Sequence, residues 1–123
     1  MKIIILFLLA LAPLHAQADT FRERVASAKH FLESSGGKVY EPWINSQVGP
    51  LITKTLQDCF VSLDAPDKSD FEVVADVLPT GKLSSVAARP RTDLAMCFVQ
   101  GLEAAILSSP PGTRHRWPLY INL

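Results

Sequence analysis

Apolar residues recur every third or fourth position in some stretches of this chain and every second position in others, which separates helices from strands. Phe21, Val25, Ala28 and Leu32 share one helical face. Thr20 followed by Glu23 is a capping-box pair, and Gly36-Gly37 offers an αL exit, so a first helix is predicted over about Phe21–Ser34. A linker from Lys38 to Asn45 then brings in Tyr40 and Trp43. Val48, Ile52, Thr55, Cys59 and Leu63 mark a second helix, broadened by Leu51, Leu56 and Phe60, with Ser46 able to cap it and Pro50 tolerable in its first turn. After a polar loop from Asp64 to Asp70 the period changes to two: Phe71, Val73, Ala75 and Val77 alternate with Glu72, Val74, Asp76 and Leu78, the pattern of a half-buried strand. A tight turn at Pro79–Lys82 returns the chain through Leu83–Arg89, making a β-hairpin.

Thr92 caps a third helix whose stripe is Leu94, Phe98, Leu102, Ala105 and Ile106, with Cys97 beside it. Gly101 in mid-helix costs about 1 kcal/mol relative to alanine, and close approach of another element would account for it. The run Ser108 to Gly112 stops this helix, Thr113–Arg116 is a basic loop, and Trp117, Leu119 and Ile121 alternate with Pro118, Tyr120 and Asn122 in a closing strand. Pro118 has no amide donor, which places the start of that strand at a sheet edge. Helix, helix, strand, strand, helix, strand is an α+β order, with helices covering one face of a small antiparallel sheet and an extra N-terminal helix.

Residues 1–18 read as a cleavable signal peptide. Lys2 precedes an apolar run from Ile3 to Leu14, too short to span a bilayer, and Ala16 and Ala18 stand where a signal peptidase requires small residues. The expected mature chain is a single domain over residues 19–123, an N-terminal helix and linker to residue 45 followed by the core from 46. It is expected in the bacterial periplasm or secreted, with no membrane span once the signal is removed. The 12 basic and 12 acidic residues are interspersed, so charge does not point to nucleic acid or to an anionic lipid surface. In an oxidising compartment the two cysteines favour a disulfide between Cys59 and Cys97, with two free buried thiols as the alternative. Their spacing is not that of a redox-active Cys-x-x-Cys pair.

The sequence offers little for catalysis. There is no Gly-x-Ser-x-Gly, no metal-spaced His/Cys/Asp set and no phosphate-cradling glycine loop, so no enzyme activity and no cofactor are expected. His30 sits on a solvated helix face. Asp64, Asp67, Asp70 and Glu72 cluster where solvation explains them, and Ser84-Ser85 and Ser108-Ser109 have no base nearby in sequence. Arg89 and Arg91 at a strand-to-helix junction, or the loop around His115, could hold an anion, but a soluble turn suits them better.

The hairpin FEVVADVLPTGKLSSVAARP, the helix DLAMCFVQGLEAAI with its cysteine and the earlier LQDCF, the double proline of SPPG and the closing WPLYINL together resemble the C-terminal domain of TonB-type energy transducers, in its two-cysteine secreted variant. The resemblance runs from about Val48 to Leu123. It implies a three-stranded antiparallel sheet backed by helices, no enzymatic activity, and binding of an envelope protein by pairing along a sheet edge. The chain lacks the anchor and the long proline-rich spacer of the transducers, so energy transduction is not carried over. Arg114, Arg116, Trp117 and Tyr120 are the candidate partner contacts, and the partner expected is an envelope or periplasmic protein. The alternative is a small periplasmic inhibitor or immunity protein that blocks an effector enzyme.

Overall fold

The computed structural model describes residues 16–123, with side chains from Thr20 onward. Residues 1–15, which carry most of the expected signal peptide, lie outside the described residues. The elements run α1 (Ala16–Glu33), α2 (Ser35–Trp43), a π-helical turn (Ile44–Val48), α3 (Gly49–Ser62), β1 (Glu72–Val77), β2 (Leu83–Arg89), α4 (Asp93–Ala104) and β3 (Trp117–Asn122). The strands form one antiparallel sheet in the order β2-β1-β3. The fold is the expected α+β arrangement.

The sheet has two unlike faces. Val73, Ala75 and Val77 of β1, with Trp117, Leu119 and Ile121 of β3, pack against Tyr40 and Trp43 of α2, Cys59 of α3, and Leu94, Phe98 and Leu102 of α4. This front face is the main core. The extra helix α1 lies on the back, where Phe21 and Val25 close over Val74, with Ala87 and Tyr120 alongside. Alternation alone puts Val74 on the polar side with Glu72 and Asp76. It is instead only 2% exposed, because the central strand is covered on both faces. Ion pairs rim this second interface: Arg22 to Glu72 at 2.7 Å, and Arg24 to Asp76 at 4.0 Å.

Four local expectations differ from the structure. Thr20 lies inside α1, which starts upstream at Ala16. The stretch expected as a linker is α2. Ser34 ends one helix and caps the next, its hydroxyl accepting from the Gly37 amide at 3.2 Å, and Gly37, Tyr40 and Trp43 form a buried face at three-residue spacing. Gly37 serves a close approach rather than an αL exit: a β-carbon there would stand 2.1 Å from the Phe31 carbonyl oxygen. Ser46 caps nothing. It sits in the π-turn, and its hydroxyl donates to the Trp43 carbonyl at 3.2 Å. Pro50 accounts for that turn, since it has no amide to donate and its ring displaces the carbonyl four residues back. The ladder widens accordingly, and the Gly49 amide bonds to Ile44 O, five residues back.

The cap at Thr92 is as expected, its hydroxyl accepting from the Ala95 amide at 3.1 Å. Gly101 is also as expected: a β-carbon there would lie 2.4 Å from Thr55 Cγ2, so its absence lets α4 sit against α3. Cys59 on α3 and Cys97 on α4 are joined in a disulfide with a Cα–Cα distance of 5.9 Å. It staples two of the helices that cover the front of the sheet.

Candidate functional site

The two outer strands differ in what their free edges offer. In β2, Val74 pairs with Ala87 and Asp76 with Ser84, so Ser85 and Val86 together face Ala75. That is a β-bulge, with Ser85 at φ 50° and its carbonyl accepting from Arg24 Nη2 at 2.6 Å. At the start of the strand Lys82 bridges to Ile106, and the Leu107 amide bonds to Gly81 O at 3.1 Å. A bulge and a covered end are two ordinary ways of closing an edge to further pairing.

The outer side of β3 pairs with no strand among the described residues. Phe71 and Leu123 exchange both of their backbone hydrogen bonds, each at 3.0 Å. Such pairs alternate along an antiparallel ladder. In the observed register the next bonded pairs are therefore Val73 with Ile121, Ala75 with Leu119 and Val77 with Trp117. It follows that Pro118, Tyr120 and Asn122 turn their backbone groups away from β1. Pro118 has no N–H, so the outward donors of this edge are the amides of Tyr120 and Asn122 alone. The sequence placed Pro118 at an edge, and the register shows that its missing donor is on the open side.

The structure places the four residues expected at a binding surface in different surroundings. Trp117 is 3% exposed and belongs to the core, its ring 6.3 Å from that of Tyr40. The alternation that makes β3 a strand also sends this indole inward, which removes it from any contact surface. Arg114 turns toward α1, with its guanidinium 4.3 Å from the Phe31 ring centroid and Nε donating to Arg116 O at 3.3 Å. Arg116 reaches Asp76 at 3.6 Å. Tyr120 lies half-buried on the back face, with Lys29 Nζ 4.9 Å from its ring centroid.

Glu72 is the hub of that face. It accepts from Arg22 Nη2 and from the Tyr120 hydroxyl, both at 2.7 Å. The Arg22 bond first, and then the Tyr120 bond, hold its carboxyl below the usual range. Burial pushes the Tyr120 hydroxyl up, and its bond to Glu72 pushes it further. Near neutral pH the carboxylate is therefore ionised and the phenol protonated, which keeps this network made. Asn122 and Lys29 completed no sequence motif. The signal for Asn122 was the two-residue period of β3, which places it beside Tyr120 on the back face; Lys29 had none, since its place depends on where α1 docks.

Among the described residues no group of three or more His, Cys, Asp or Glu could hold a metal ion. Nor is any described helix long and apolar enough to cross a membrane. No protein family, curated protein or solved structure matches the chain.

Proposed function

We propose that the chain is an exported interaction module, of the TonB C-terminal kind in fold, that binds an envelope protein by adding a strand to the outer edge of β3. It acts without energy transduction and without catalysis. The observation that supports this best is the pair of outward amides at Tyr120 and Asn122 on a sheet whose opposite edge is bulged and bridged. Strand addition draws its affinity from such backbone groups and its specificity from the flanking side chains. The disulfide and the lack of a membrane-spanning helix among the described residues are compatible with export.

Asn122→Pro tests the reading. It deletes an outward donor and leaves the inward ladder of Ile121 and Leu123 in place, as Pro118 does four residues earlier. The expected result is stability within about 1 kcal/mol of the parent, an ordinary margin for an exposed site, together with loss of partner capture from an envelope extract. Capture that survives Asn122→Pro with unchanged affinity would contradict binding at this edge.

A further inference from the structure

We infer that the segment added to β3 carries a carboxylate at the residue opposite Tyr120; the inference rests on the strand-addition reading. Directly opposite residues in an antiparallel pair project their side chains to the same face. Tyr120 projects to the back, toward α1, so its partner residue would emerge beside Lys29. One cleft of about 410 Å³ crosses this back face from Arg89 of β2 to Asn122 of β3 and is also lined by Arg22, Lys29, Asp70, Glu72 and Tyr120.

The charges in that cleft are not balanced. Glu72 is held by Arg22 and the Tyr120 hydroxyl. Lys29 is exposed, lies over the Tyr120 ring, and has no carboxylate within 4.0 Å among the described residues. Arg89 likewise has no carboxylate partner there: its Nη1 donates to Ala88 O, and its guanidinium lies 5.4 Å from the Phe21 ring centroid. Glu72 is within electrostatic reach of Lys29 and Asp70 lines the same cleft, so two carboxylates stand against the three cations Arg22, Lys29 and Arg89. An incoming carboxylate opposite Tyr120 would meet Lys29 at the surface, and an incoming lysine would be repelled. Residues on either side of it would face the front, so the segment that fits alternates apolar and polar, with the acidic residue on the polar side.

The test is a titration of the oxidised protein, followed through its backbone amide resonances, with two capped peptides: acetyl-Thr-Val-Glu-Val-Thr-amide and its lysine counterpart, acetyl-Thr-Val-Lys-Val-Thr-amide. The glutamate peptide is expected to shift the Tyr120 and Asn122 amides and to bind about tenfold more tightly at low salt. That preference shrinks in high salt, as an exposed charge contact should, and reverses in Lys29→Glu. Equal affinity for the two peptides, with shifts at both amides, would overturn the carboxylate and leave strand addition standing. A preference for lysine would overturn it as well. If neither peptide shifts these amides at millimolar concentration, both readings fall.

Discussion

Reducing the bridge between Cys59 and Cys97 lowers the stability of this protein by about 4 kcal/mol. The two residues are separated by 38 positions. In the chain-entropy account a loop of that length removes about this much freedom from the unfolded chain. Little of the loss should come from the folded state, because α3 and α4 also meet through the close approach of Thr55 to Gly101. Urea unfolding of the oxidised and reduced protein, and of the double variant Cys59→Ala/Cys97→Ala, measures the effect. The midpoint should fall, and the m-value should rise as the unlinked chain exposes more surface on unfolding. A loss of stability of less than about 1 kcal/mol would mean that the unfolded chain is held compact by something other than the bridge.

The next largest effect is expected at a glycine that the sequence marked only as part of a turn. Gly81 has φ 86°, and a β-carbon there would stand 2.0 Å from the Leu107 carbonyl oxygen. Gly81→Ala therefore carries two penalties. The left-handed backbone costs roughly 1–2 kcal/mol for an L-residue. The forced separation of the hairpin turn from the Leu107 strap breaks the Leu107 N–H to Gly81 O bond, worth roughly another 1 kcal/mol. A loss of about 3 kcal/mol is expected from thermal or urea unfolding. Gly112 is the internal control: its φ is 90°, yet nothing lies within 4 Å of the β-carbon it lacks. Gly112→Ala should show the backbone penalty alone, and equal losses at the two positions would mean that the strap contact is worth nothing.

How far the fold could be read from the chain depended on whether one local signal spoke alone. The hairpin, α4 with its Thr92 cap and the closing strand were legible because period, turn chemistry and caps agreed. The disulfide was legible from the expected compartment and the cysteine count. α2 was hidden because Gly36, Gly37 and Pro42, each a helix breaker by propensity, fall within nine residues. There the buried faces of Tyr40 and Trp43 and the Ser34 cap outweigh propensity. Val74 was misplaced because period two cannot show that a second layer covers the polar side of a strand. Only the position of α1 shows that.

The candidate site was legible in part. Pro118 and the edge placement of β3 came from the sequence, and Tyr120 was among the residues expected at the surface. Trp117 could not be separated from them by residue type, since an indole suits an interface and a core equally. Its place on the inward period of β3 decides for the core. The importance of Asn122 and Lys29 depends on strand register and on where α1 docks, which are long-range facts. The outward amides follow from a single bonded pair, Phe71 with Leu123, counted along the ladder.

Amide hydrogen exchange on β3, residue by residue, is the most direct measurement of the central claim. In the free protein the amides of Leu119 and Ile121 should exchange slowly, and those of Tyr120 and Asn122 rapidly, because only the first two point into the ladder. With a captured partner bound, Tyr120 and Asn122 should become protected as well, and β2 should be unchanged. A bound partner that leaves these two amides exchanging freely, while protecting another surface, would contradict strand addition at β3.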